Sequence, residues 1–172
     1  LDLNEQKAQG EAMDLNHGLP FTPRRMTIQA AGYDALPQAD IVVLCAGVNQ
    51  KPGESRLSLL QRNADILRTV TRRAVEAGFT GLFLVAANPV DLMTRVVLEE
   101  SGFAAGRVFG SGTTLDSARL RYLLGESFRV DPRNVHAYVM GEHGESEFVP
   151  WSQALLATRP ILSLCGQPGA PD

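Results

Sequence analysis

Apolar residues along this chain fall into two kinds of run. Ala39 to Ala46 and Leu82 to Ala87 are nearly continuous, the pattern of strands covered on both faces. Leu57, Leu60, Ala64, Leu67 and Ala74 instead recur at helical spacing as far as Gly78, which predicts an amphipathic helix. Asn4 can cap a helix running to about His17, with Gly18 as its stop. Two more helices are predicted, from about Val90 to Ser101 and from Thr113 to Phe128. Arg25 to Ala30, Arg107 to Phe109 and Val135 to Met140 complete the strands. Strands alternating with helices predict a parallel βαβ sheet. Ligands of such sheets bind at the carboxyl ends of the strands. The polar loops after Ala46 and Ala87 both lie there.

Composition narrows the class. The 172 residues are 44% hydrophobic, enough for a packed core and against disorder. A net charge of −3 gives no reason to expect a nucleic-acid partner or an anionic membrane surface. No run reaches membrane-spanning length, and the start has no signal-peptide pattern. Cys45 and Cys165 read as free thiols in a reducing compartment, which predicts a cytoplasmic protein. The chain starts at Leu1-Asp2-Leu3 and stops in a turn-rich stretch after Cys165; it reads as a piece of a longer protein.

Four segments and one residue carry chemistry. Gly141 to Ser146 (GEHGES) sets His143 between glycines, beside acids, after an apolar run. A histidine titrates near neutral pH and can both give and take a proton, although a lone loop histidine is commonly only solvated. Gly47 to Arg56 leaves a strand without a side chain, so a flat ligand could approach the backbone. The rest of that loop is a lid or a plain surface loop. Asp116 and Arg119 share a helix face. They form a mere ion pair, or Arg119 forks onto a substrate carboxylate. Arg121 lies roughly 200° round the helix and serves another surface. Asn88-Pro89 after a strand is a cis peptide, a sharp turn or a helix start, and Asn88 offers a donor and an acceptor. Asp2 is placed to hydrogen-bond ribose hydroxyls.

Together these stretches resemble the NAD-dependent L-lactate dehydrogenase family of the lactate/malate dehydrogenase superfamily, from Asp2 to about Trp151. The matching motifs are Met13 to Gly18, Ala46 to Asn63, Asn88 to Asp91, Gly110 to Arg121 and Gly141 to Glu147. The resemblance implies an α/β fold: a Rossmann-like parallel sheet lacking its first strand over residues 1–109, then the start of an α+β substrate domain over 110–172. It implies reversible hydride transfer between NADH and pyruvate, giving L-lactate, in glycolysis and fermentation. His143 would be the acid/base, Asp116 its partner, and Arg56 the group that polarises the carbonyl. Arg119 would anchor the carboxylate, with Gln50, Asn88 and Asp91 completing the substrate set. Asp2, Lys7, Tyr33, Gly47, Val48, Thr69, Ala86, Asn88 and Ser111 match the cofactor-contact positions, with no metal implied. Arg121 and His136 match positions that bind fructose 1,6-bisphosphate in allosteric members, and the family assembles as homotetramers.

The neutral Gln50 stands where malate-specific relatives carry an arginine. An unpaired second carboxylate would be costly in a closed site, so pyruvate is favoured over oxaloacetate. Malate or another 2-hydroxy acid, or an inactive truncated remnant, are the alternatives. The glycine-rich G-x-G-x-x-G loop, which the family carries just before the position of Asp2, does not occur in the sequence. With half of the cofactor site missing, the 172 residues alone are expected to be inactive.

Overall fold

The computed structural model describes residues 1–49, 51–53 and 55–166, with the side chain of Arg56 outside that set. Helix α1, Glu5–His17, starts where Asn4 accepts the Lys7 amide proton, and it ends at Gly18. It buries none of its residues; Asn16 ties it down by donating to the Ile28 carbonyl at 2.8 Å. Strand β1, Ile41–Leu44, leads to helix α2, Arg56–Glu76, then β2, Leu82–Val85, helix α3, Val90–Ser101, and β3, Val108–Gly110. The three strands are parallel in the order β1-β2-β3, as the alternating pattern predicts. Ser55 caps α2 by accepting the Ser58 amide, and Gly102 ends α3 in the left-handed conformation.

The first core lies between this sheet and helices α2 and α3. Leu67, Ala74, Phe79, Phe83, Val85, Met93 and Val97 are its buried members. Phe79 meets Phe83 edge-on at 4.8 Å between ring centroids, a favoured aromatic geometry. A second unit follows. Helix α4, Thr114–Phe128, packs against a small antiparallel sheet of β4, Val135–His136, β5, Leu155–Leu156, and β6, Arg159–Pro160. Val135, Ala137, Ala154 and Ile161 form its core with Leu120, Leu124 and Phe128. Between α4 and β4, Asp131 caps a 3-10 turn and is bound twice by Arg133, through its side chain and its backbone amide. These bonds hold the carboxyl at about 2, below the ordinary carboxylate range.

Three expectations need correction. Arg25 to Ala30 is extended but belongs to no strand, because a strand exists only where a neighbour completes its ladder. Ala39 to Ala46 does form a strand, yet only one face is covered: Ile41 and Val43 are 53% and 54% exposed. An apolar run reports how much a strand could bury and leaves open what lies over it. Val135 to Met140 pairs as a strand only at its first two residues. Beyond them, helix α4 takes the backbone groups. Ser117 Oγ accepts the Val139 amide proton at 2.9 Å, and Thr113 Oγ1 donates to the Val139 carbonyl at 2.7 Å.

Candidate active site

The helix α4 contacts that shorten the strand also aim the loop that follows it. Met140 and Phe148 form an antiparallel bridge, so residues 141–147 leave and return at one point. Gly141 and Gly144 both have positive φ, 99° and 139°, a region that side-chain-bearing residues enter only under strain. A Cβ on Gly141 would also stand 3.2 Å from the Ser146 carbonyl oxygen. The glycines on either side of His143 are therefore demands of the loop itself.

Within this loop, His143 Nδ1 lies 2.7 Å from Asp116 Oδ2, a short charge-assisted contact between residues 27 apart in sequence. Asp116 is largely buried, at 12% exposure, and His143 is one-third exposed. One ring nitrogen is thus tied to a carboxylate, and the other is left for chemistry. Arg119 Nη1 stands 3.6 Å from the second oxygen of Asp116; with 65% of its side chain exposed, this ion pair contributes little by itself. Asp91, at the start of α3, accepts the His143 backbone amide proton at 3.0 Å. That bond joins the parallel sheet unit to the histidine loop. Asp116, His143 and Glu147 each offer one donor atom within 4.8 Å of one another. The 2.7 Å contact inside that group suits a shared proton; two ligand atoms around a metal ion stand farther apart.

A cavity of about 350 Å³ opens at the carboxyl ends of β1 and β2, lined among others by Gly47, Val48, Ala86, Ala87, Asn88 and Asn63. The Asn88-Pro89 peptide is cis, one of the forms the sequence allows. Ser111, just past β3, donates its amide proton to the Val85 carbonyl at 2.8 Å. The structure thus brings Gly47, Val48, Ala86 and Asn88 together, and Asp116, Arg119, Asp91 and His143 together. Asp2, Lys7, Tyr33 and Thr69 do not line the cavity. Asp2 accepts the Asn4 amide proton and faces Lys7 Nζ at 3.9 Å. Tyr33 lies under the Arg73 guanidinium at 4.2 Å, and Thr69 Oγ1 donates to the Asp65 carbonyl within α2. In the second unit, Arg121 donates to the Pro132 carbonyl at 3.4 Å, while its Nε is buried with no partner among the described residues; His136 is exposed on β4. Gln50 and the side chain of Arg56 lie outside the described residues.

Asn63 was not singled out by sequence reasoning. It is 7% exposed, lines the cavity, and its Oδ1 accepts the Val48 amide proton at 2.9 Å. The available signal was a polar residue set among the apolar positions of α2. Ser117 and Thr113 were missed too; hydroxyls on a helix announce no partner until the fold supplies one.

A parallel α/β unit with a cavity at its strand ends defines the class, that of α/β proteins that bind a ligand at the carboxyl ends of their strands. Residues 1–110 match the family model for the lactate/malate dehydrogenase NAD binding domain, and residues 113–169 match that for its alpha/beta C-terminal domain. The chain belongs to the lactate/malate dehydrogenase family. It is 52% identical to an L-lactate dehydrogenase of Geobacillus stearothermophilus over 98% of its own length and 53% of that protein's. It is 50% identical to L-lactate dehydrogenase 2 of Bacillus cereus over 95% of its length and 52% of the relative's. The chain thus spans about half the length of the curated relatives it matches. Among solved structures, a lactate dehydrogenase from a Medee basin deep-sea metagenome library superposes with a TM-score of 0.93 at 51% identity. That match covers 99% of this chain and 55% of the other. The ligand-bound minor L-lactate dehydrogenase of Enterococcus mundtii gives 0.92 at 42% identity, covering 98% and 54%.

Proposed function

We propose that this chain belongs to an NAD-dependent L-lactate dehydrogenase that interconverts pyruvate and L-lactate. The observation that carries the reading is the His143–Asp116 pair at 2.7 Å, held against the strand-end cavity unit through Asp91. With Nδ1 bound to Asp116, Nε2 is the atom that gives its proton to the carbonyl oxygen of pyruvate and takes one back from the hydroxyl of lactate. Reduction therefore needs the ring charged at the outset, and oxidation needs it neutral. Asp116 fixes the ring orientation and stabilises the charged ring. Arg119, whose side chain is mostly exposed, suits bidentate capture of the substrate carboxylate. Arg56 opens α2 at the cavity end, and its role is to polarise the carbonyl and steady the developing alkoxide.

The cavity fits the nicotinamide half of NAD. Its walls include Ala46, Gly47, Ala86 and Ala87. A Cβ at Gly47 would make only ordinary contacts, 3.5 Å at the nearest. The fold itself does not demand glycine there, so a closely approaching ligand is the better reason for it. Bound NADH supplies the hydride. Gly47, Val48, Ala86 and Asn88 would hold its nicotinamide end; Asp2, Lys7, Tyr33, Thr69 and Ser111 complete the contact set. Asn88 also faces substrate in this reading. Asp91 contributes by holding the His143 backbone.

The finer assignments follow the same reading. Residues 1–109 form the cofactor domain and 110–172 the start of the substrate domain, in line with the change from a parallel to an antiparallel sheet. Exposed Leu115, Tyr122, Leu123 and Phe148 suit assembly into a homotetramer. Among the described residues no helix is long and apolar enough to cross a membrane, and the assigned place is the cytoplasm, in glycolysis and fermentation. The buried Arg121 Nε, without a partner among the described residues, supports an anion site with His136 for fructose 1,6-bisphosphate as activator.

A panel of 2-keto acids, assayed with NADH on the native protein, tests the function. Pyruvate is expected to be preferred over oxaloacetate by kcat/KM, and Gln50→Arg to shift that preference toward oxaloacetate. Preference for oxaloacetate in the unsubstituted protein would overturn the assignment. The bisphosphate, added near neutral pH, should lower the apparent KM for pyruvate; no change counts against regulation.

A further inference from the structure

His143 has a second carboxylate beside the nitrogen that Asp116 holds. Glu147 Oε2 stands 3.6 Å from His143 Nδ1, and the same oxygen accepts the Gly144 amide proton at 3.4 Å. The loop geometry creates this approach. Gly144 turns the chain at φ 139°, Glu147 donates its own amide proton to the Gly144 carbonyl at 3.2 Å, and the Met140–Phe148 bridge closes the loop behind it. Glu147 is 31% exposed, close to the 33% of His143, so solvent only partly screens the pair.

We propose that Glu147 is a positioning residue for His143, a second acid that flanks Nδ1 and lends negative charge to the ring while the ring carries the proton it will donate. The proposal rests on the acid/base role of His143 given above. Nδ1 has one proton, and Asp116 at 2.7 Å receives it. At 3.6 Å, Glu147 is beyond hydrogen-bond range and acts as a nearby charge. Glu142 and Glu145 flank His143 in the chain, Glu142 accepting from Ser146 Oγ at 3.5 Å. Asp116 comes from α4 with Arg119 on its other oxygen, Asp91 comes from α3 at the backbone amide, and Glu147 comes from the loop itself. Two acids thus stand at the ring and a third at the backbone amide, against one arginine, and Glu147 is the one of the three that sequence motifs left without a role.

Glu147→Gln keeps the size of the side chain and removes the charge. In the native protein, removing that charge is expected to lower pyruvate reduction on the alkaline side of its pH profile. The rate there falls about threefold, with little change on the acid side and an unchanged Kd for NADH; Glu147→Asp recovers part of the loss. A second readout needs no turnover. Diethyl pyrocarbonate acylates the neutral ring, and at a pH where the ring is mostly charged it should modify His143 up to about threefold faster in Glu147→Gln. Mass spectrometry would read this, with His17 and His136 as internal references. An unchanged profile and modification rate overturn the proposal, as does an equal loss at every pH with a lowered Tm. If the native protein does not reduce pyruvate but the modification rate still responds to Glu147, the effect of Glu147 on the ring stands and the lactate dehydrogenase reading, with the role in pyruvate reduction, fails.

Discussion

Asn63 lies one position before Ala64 on a helix whose neighbouring residues turn toward the core, and it is 7% exposed. A buried amide there must be committed, because burying one without a partner costs free energy. Its Oδ1 accepts the Val48 amide proton, which pins the turn out of β1 where the cavity begins. Asn63→Ala leaves that amide without its acceptor. The expected loss is about 1–3 kcal/mol of stability, with the Kd for NADH raised more than the KM for pyruvate; Asn63→Asp keeps an acceptor and should recover most of both. Chemical denaturation and a fluorescence titration of the dinucleotide would check this, and an Asn63→Ala protein of unchanged stability would refute it. The His143–Asp116 pair was legible in sequence as two residue types in two motifs. Asn63 was not, because its role depends on which backbone group stands opposite, and that group is 15 residues away.

Elements were legible where their own residues decide them. Helix α3 begins and ends where the pattern predicts, since Pro89 suits its start and Gly102 its left-handed stop. Arg25 to Ala30 and the end of Val135 to Met140 were not, since a strand needs an edge to pair with and no edge is written into the strand's own residues. The packing of α2 on α3 holds one mismatch. Thr71 is fully buried, and its hydroxyl has no hydrogen-bond partner among the described residues. Valine has nearly the same shape without the polar atom, so Thr71→Val is expected to stabilise the protein by about 1 kcal/mol. Most core substitutions go the other way. A rise in the urea midpoint at constant m-value would show it; a fall would mean that the hydroxyl has a partner after all.

At the scale of the whole molecule, apolar surface is left open on several faces. Ile41 and Val43 are exposed on β1, Phe21 stands 90% exposed after α1, and Tyr122, Leu123, Tyr138 and Phe148 are exposed in the second unit. Patches of this kind mark surfaces that pack against something, and the free edge of β1 adds unpaired backbone groups. A polypeptide of these 172 residues alone is expected to enhance the fluorescence of an apolar dye and to sediment as species larger than a monomer. A dye-silent, monomeric solution would contradict this. By itself the sequence determined the alternation of strands and helices, the helix ends and the residue types of the site, because periodicity, caps and glycines are local properties of the chain. Only the tertiary structure decided which face of β1 stays bare, where β4 stops, and that Asp91 and Glu147 join Asp116 at His143. Those outcomes depend on backbone and side-chain groups distant in sequence meeting at hydrogen-bond range, and no local pattern records such a meeting.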